Sequence, residues 1–201
     1  MFDTLIFDFG QVLVHFDPIY MTKQYITDEE DIKTVADVVF DRLYWDRLDE
    51  GSITDEEVKT AIASRLPERL GSVAAEVYDN WIYNIPIIEG MYELIKEQKE
   101  KGKALYLLSN ISIGFAENYQ KNPEIKKILD LFDGLCFSGI LRIVKPSYEI
   151  FDYIKTEYSL CADNTIFIDD SPKNIKGAED YGIKGYLFDG DIKKLREYLN
   201  S

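Results

Sequence analysis

Histidine and cysteine are almost absent from this chain: His15 stands alone, and Cys136 and Cys161 are the two cysteines among 201 residues. That scarcity excludes a multi-histidine metal centre, a structural zinc site and a disulfide framework. It fits a reducing cytosol. No apolar run approaches the ~20 residues needed to cross a bilayer, and the chain opens Met-Phe-Asp without a basic leader. Positive charge is scarce too. With 23 Lys plus Arg against 37 Asp plus Glu the formal charge is −14, which repels nucleic-acid backbones and anionic membranes alike. A cytoplasmic protein acting on a small molecule is expected. At 46% hydrophobic residues the chain has material for a packed core, with or without a smaller companion domain.

What is present is an alternation. Short apolar runs at Thr4 to Phe9, Ala104 to Leu108, Gly134 to Phe137, Thr165 to Ile168 and Lys184 to Phe188 read as strands. Helix-period stretches at Met91 to Glu100, Ser147 to Tyr158, Pro172 to Tyr181 and Ile192 to Leu199 separate the later ones. This predicts an α/β fold with a doubly wound parallel sheet. Residues 17–85 break the rhythm with helical segments at Asp28 to Arg47, Thr54 to Arg65 and Ser72 to Tyr83. Turns are expected at Glu50-Gly51 and Leu66-Pro67, and Thr54 with Glu57 has the spacing of a capping box. The expected division is a core of residues 1–16 and 86–201 with a helical insertion, 17–85, after the first strand. The lysine-rich Lys96 to Lys103 reads as a solvated helix end.

In an open parallel sheet ligands bind beyond the carboxyl ends of the strands. Four places there carry chemistry: Asp8 with Gly10, Ser109-Asn110, Lys145-Pro146, and Asp169-Asp170. Together they offer a carboxylate nucleophile, a hydroxyl donor, a fixed cation and acids for a hard metal. That inventory suits phosphoryl transfer, which asks for an in-line nucleophile and positive charge around the phosphoryl oxygens. Asp8 would attack phosphorus, with Ser109 and Lys145 on the phosphate oxygens. Asp170 would bind magnesium directly, and Asp169 would stand behind it. Taken singly, Ser109-Asn110 is an ordinary turn and Ser171-Pro172 an ordinary helix start. Two consecutive acids closing the apolar run Thr165 to Ile168 are not ordinary.

As an ordered set, Asp8-Phe9-Gly10-Gln11-Val12, Ser109-Asn110, Lys145-Pro146 and Asp169-Asp170-Ser171-Pro172-Lys173-Asn174 resemble the four motifs of the haloacid dehalogenase superfamily. The nearest likeness is to its small bacterial sugar-phosphate phosphatases, those similar to alpha-D-glucose-1-phosphate phosphatase, and to the N-terminal phosphatase domain of soluble epoxide hydrolases. The resemblance implies Asp8 as nucleophile. It implies Mg2+ held by Asp8, the Gly10 carbonyl and Asp170, supported by Asp169 and Asn174. Ser109, Asn110 and Lys145 would contact the phosphate of a small phosphorylated metabolite. It also implies that the insertion is a cap closing over the site.

One position departs from the pattern. Most phosphatases of this superfamily carry a second Asp two residues after the nucleophile, where this chain has Gly10. A backbone metal ligand survives that change, but the proton donor does not. The candidates to replace it are His15, Asp17, Asp169 through a water, or a residue of the insertion; a leaving group that needs little protonation is the other solution. Trp45, Tyr44, Trp81 and Tyr83 read first as insertion core and second as a surface for a sugar ring. Competing functions are a metal-independent haloacid dehalogenase, a receiver module, whose motif order differs, and an impaired relative that only binds a phosphorylated ligand or a partner.

Overall fold

A computed structural model describes residues 2–201. Five parallel strands form one sheet in the order β3-β2-β1-β4-β5: β1 (Thr4–Phe7), β2 (Ala104–Ser109), β3 (Gly134–Phe137), β4 (Thr165–Asp169) and β5 (Lys184–Leu187). The central strands are apolar between their ends because helices cover both faces of the sheet. Alternate residues serve opposite layers. Leu5, Phe7, Leu107 and Ile168 face one cluster, and Ile6, Leu108 and Phe167 face the other.

The helices fall into two groups. Between β1 and β2 come α1 (Pro18–Lys23), α2 (Glu29–Val39), α3 (Arg42–Asp49), α4 (Asp55–Arg65) and α5 (Glu68–Asn80), then α6 (Met91–Glu100), which leads into β2. After β2 come α7 (Ile113–Asn118), α8 (Pro123–Leu129), α9 (Ser138–Leu141), α10 (Tyr148–Glu157), α11 (Pro172–Tyr181) and α12 (Ile192–Leu199). The expected α/β core with a helical insertion after the first strand is therefore what forms. None of the helices is long and apolar enough to cross a membrane among the described residues.

Local chemistry accounts for the boundaries. The stretch Asp28 to Arg47, expected as one helical segment, is two helices. Asp41 adopts an extended backbone and its carboxylate accepts from the Leu43 amide at 2.9 Å, which ends α2 and starts α3. Helix α5 begins at Glu68, directly after Pro67, four residues before the expected Ser72; its end passes into a 3-10 turn over Trp81–Tyr83. Thr54 and Glu57 form the expected capping box.

Sheet register sets the site. Phe7 of β1 pairs with Ile168 of β4, so the next residues along, Asp8 and Asp169, come level on neighbouring strands. The Asp8 amide donates to the Ile168 carbonyl at 2.9 Å. The chain runs from β1 outward through β2 and β3, then crosses back to β4 on the other side of β1. The crevice at that reversal, beyond the carboxyl ends of β1 and β4, is where such sheets bind ligands.

Candidate active site

Lys145 is the hub. Its ammonium is 2.7 Å from Asp8 Oδ1 and 2.7 Å from Asp169 Oδ2, with 1% of its side chain exposed. Burial alone would lower the Lys145 pKa, but the two carboxylates reverse this and hold it above the ordinary lysine value. Asp8 sits at the mouth of the crevice and also accepts from the Phe9 amide at 2.6 Å. Burial raises its pKa, with Lys145 pulling it down and Asp169 pushing it further up.

Asp169, wholly buried at the end of β4, has no free oxygen. Oδ1 accepts from the Ser171 amide at 2.8 Å, Oδ2 accepts from Lys145, and the Asn174 side-chain amide lies 3.1 Å from both. The start of α11 therefore orients Asp169, and Asp169 orients Lys145. Gly177 lets α11 lie against the lysine loop, because a Cβ there would meet the Pro146 carbonyl oxygen at 2.8 Å.

Asn110 holds the same loop from the other side. Its Oδ1 accepts from the Lys145 amide at 2.8 Å and its Nδ2 donates to the Lys145 carbonyl at 3.1 Å. At least part of its hydrogen-bonding capacity thus fixes the lysine backbone, which the expected phosphate contact did not include. Ser109 ends β2 with 2% exposure.

Carboxylate oxygens of Asp8, Asp169 and Asp170 converge to within 4.8 Å of one another. With both Asp169 oxygens and Asp8 Oδ1 engaged, the other oxygen of Asp8 and the exposed Asp170 are left to take a cation. Burial, then the neighbouring Asp169, raises the Asp170 pKa. Three acids against a single buried ammonium form an electrostatically incomplete cluster of hard oxygen donors, and a divalent ion such as magnesium fits it.

These groups line one side of a cavity of about 460 Å³ that includes Asp8, Gly10, Ser109, Asn110, Lys145, Asp170 and Asn174. The opposite side comes from the insertion. Arg42, Trp45 and Asp49 of α3 face it, with Trp81, and Phe16 joins them from the end of the first core segment. Trp45 packs 5.1 Å, centroid to centroid, from both Phe16 and Trp81, and its indole N–H donates to the Val39 carbonyl at 2.8 Å. Tyr44, Trp45 and Trp81 are buried as insertion core, and the two tryptophans also present an edge to the cavity; Tyr83 is 48% exposed. His15 is exposed and does not line the cavity. Asp17 caps α1, accepting from the Tyr20 amide at 3.0 Å.

The model of the haloacid dehalogenase-like hydrolase family matches residues 5–187. The chain belongs to that family. Among curated hydrolases it is similar to a sesquiterpene phosphatase of Aspergillus oryzae, 27% identical over 186 residues and covering 92% of this chain and 88% of that protein. It is also similar to a D-ribitol-5-phosphate phosphatase of Bacteroides thetaiotaomicron, 25% identical with 92% and 91% covered. A solved enzyme of the family from Bacteroides thetaiotaomicron, in complex with magnesium and inorganic phosphate, superposes with a TM-score of 0.71 at 25% identity over 97% of this chain and 99% of that one. The L-2-haloacid dehalogenase of Xanthobacter autotrophicus shares the fold at a TM-score of 0.67 and 16% identity, with 92% of this chain and 76% of that chain covered.

The sequence alone did not single out Asp49, Arg42 or Phe16. For Asp49 a signal existed. It lies four residues after Trp45 and next to Leu48, on the buried stripe of α3, where an acid is out of place.

Proposed function

We propose that this hydrolase is a magnesium-dependent phosphomonoesterase that works through an aspartyl phosphate on Asp8. The observation that carries the reading is the acidic pair at the end of β4 set beside Asp8, with one buried lysine to balance three carboxylates. Such a cluster repels an incoming phosphate unless a cation joins it. A metal-independent dehalogenase gains nothing from the second pair member.

In this reading Asp8, the Gly10 carbonyl and Asp170 hold the ion, and Asp169 and Asn174 support them. A magnesium ion bound there offsets the repulsion between Asp8 and the phosphoryl group. Asp8 attacks phosphorus and the bond to the leaving oxygen breaks. Ser109 and Lys145 bind the phosphoryl oxygens, and Asn110 keeps the lysine loop in register with the end of β2. Water then attacks phosphorus, the bond to Asp8 breaks, and phosphate leaves. Residues 17–85 act as the cap and 1–16 with 86–201 as the core.

The substrate we favour is a small sugar phosphate handled in the cytosol, in keeping with the named substrate of the ribitol-5-phosphate relative. The aromatic wall of Phe16, Trp45 and Trp81 favours a second reading, a phosphate ester of an apolar alcohol, for which the sesquiterpene phosphatase is the parallel. The test is hydrolysis of 4-nitrophenyl phosphate with and without magnesium, beside Asp8→Asn, followed by a panel of sugar and prenyl phosphates. Magnesium-dependent release that Asp8→Asn abolishes is expected. Halide release from a 2-haloacid without magnesium would reverse the assignment.

A further inference from the structure

Gly10 has no side chain, so the position two residues after Asp8 cannot give a proton to the leaving oxygen. Of the replacements the sequence offers, His15 lies outside the cavity, Asp17 is spent on a helix cap, and Asp169 has both oxygens engaged. The insertion supplies another. Asp49 lines the same cavity as Asp8 and Asp170, its carboxyl lies within electrostatic reach of Asp8 and Lys145, and the residue is 8% exposed. Its carboxyl has no hydrogen-bond or ion-pair partner among the described residues, and the nearby Arg42 is paired with Asp46 instead. A buried carboxyl left unpaired facing a cavity is costly for the fold. That cost is intelligible where a substrate atom completes the bond.

The position of Asp49 is fixed from the backbone. Ser138 Oγ donates to the Asp49 carbonyl at 2.6 Å, and the same oxygen accepts from the Ile111 amide at 2.9 Å, just beyond Ser109-Asn110. Gly51, at φ +65°, makes the next contact. A Cβ there would stand 2.4 Å from the Gly139 carbonyl oxygen, so only glycine lets the insertion come this close to the sheet loops. The end of α3 is thereby held against the loops after β2 and β3, on the cavity that also holds Asp8.

We propose that Asp49 is the proton donor and acceptor of the reaction, delivered by the insertion in place of an acid at position 10. The assignment rests on the phosphomonoesterase reading above. As Asp8 attacks and the bond from phosphorus to the leaving oxygen breaks, the Asp49 carboxyl gives its proton to that oxygen and the alcohol departs. The Asp49 carboxylate then takes a proton from the water whose oxygen attacks the aspartyl phosphate. The bond from phosphorus to Asp8 breaks, and Asp8 and the protonated Asp49 are restored with one phosphate formed.

The surroundings suit a group that must hold a proton near neutrality. Burial pushes the Asp49 carboxyl up to about 7; Arg42 and Lys145 oppose the shift, and Asp46 and Asp8 add to it. The carboxyl end of α3 adds a negative dipole end, which also favours the protonated form.

The experiment compares wild type, Asp49→Asn, Asp49→Glu and Asp8→Asn with magnesium present, on 4-nitrophenyl phosphate and on the alkyl phosphate that wild type hydrolyses fastest. Asp49→Asn is expected to lose about 10²- to 10⁴-fold on the alkyl ester and much less in nitrophenol release. Rapid mixing should show a burst of nitrophenol followed by slow phosphate release. The fall of kcat/KM for the alkyl ester as pH rises through neutrality should vanish in Asp49→Asn and return in Asp49→Glu. Equal losses on both esters, no burst and an unchanged pH profile would overturn the assignment. If Asp49→Asn fails to fold, the wild-type profile decides: no loss of alkyl-ester turnover on the alkaline side of neutrality overturns it. Asp8→Asn is expected to lose both esters. If it keeps wild-type turnover, the underlying phosphomonoesterase reading fails, whatever Asp49 does.

Discussion

The two walls of the cavity are built by different rules. On the sheet wall, Asp8, Lys145, Asp169, Asn174 and Asn110 bond to one another or to the loops that carry them. On the insertion wall, Asp49 carries an unpaired carboxyl beside aromatic edges, and Arg42 reaches the cavity with 76% of its side chain exposed. The first wall is preorganised, its charges held by hydrogen bonds and ion pairs among themselves, as stabilising a phosphoryl group would require. The second wall has unspent hydrogen-bonding capacity, which suits a group that varies, the alcohol half of the substrate. In the proposed reaction the sheet wall holds the phosphoryl group and the insertion wall handles the proton and the alcohol.

The largest effect that would sharpen this contrast is on the sheet wall. Asp8→Asn should lower kcat by about 10⁴-fold or more, measured as phosphate release, whereas Trp45→Phe across the cavity should mainly raise KM. A smaller change in kcat for Asp8→Asn than for any insertion variant would break the comparison.

Stability comes next. Lys145→Met leaves Asp8 and Asp169 as buried acids with no ammonium beside them, and its urea denaturation should show a loss of about 3–5 kcal/mol. Arg42→Met, on the exposed insertion side, should leave the denaturation midpoint in place.

Magnesium should then distinguish the walls without any turnover. At about 100 times its dissociation constant the ion should add about 2.7 kcal/mol, seen as a rise in Tm. Asp170→Asn should abolish that rise and Asp49→Asn should keep it.

The effect that shows only on one side of neutrality is a pH-dependent gain from Asp49→Asn. An acid at about 7 when folded and near 4 when unfolded binds more protons in the native state between those values. Native stability therefore falls as pH rises through that window and stays reduced above it. Replacing Asp49 with Asn should raise Tm at pH 8, by roughly one to a few kcal/mol of stability, and change little at pH 4. A lower Tm at pH 8 would mean that Asp49 has a structural partner.

The sheet wall was legible in the sequence because its signals are local. Each strand is a continuous apolar run, and Asp8 and Asp169 interrupt or end such runs where an unpaired charge would be expensive. Their alignment follows from parallel register once the strands are placed. The insertion wall was not legible, because its residues gain meaning only from packing. Reading Asp28 to Arg47 as one segment missed the break at Asp41 and stopped two residues short of Asp49, so the acid fell in the gap before the turn expected at Glu50-Gly51. The short helices α1, α7 and α8, six or seven residues each, hold too few turns for a periodic signal and are defined by caps at Asp17, Ser112 and Asn122. Asn110 was placed correctly at a strand end, but that its amide clamps the Lys145 backbone depends on a contact 35 residues away in sequence.

The covalent intermediate is the most direct test. Wild type should be mixed with a phosphomonoester labelled at phosphorus, quenched in acid within one turnover, digested and mapped. The account predicts label on the peptide containing Asp8, formed only with magnesium, released by hydroxylamine and absent from Asp8→Asn. Magnesium-dependent phosphate release with no label on that peptide at any quench time would contradict it.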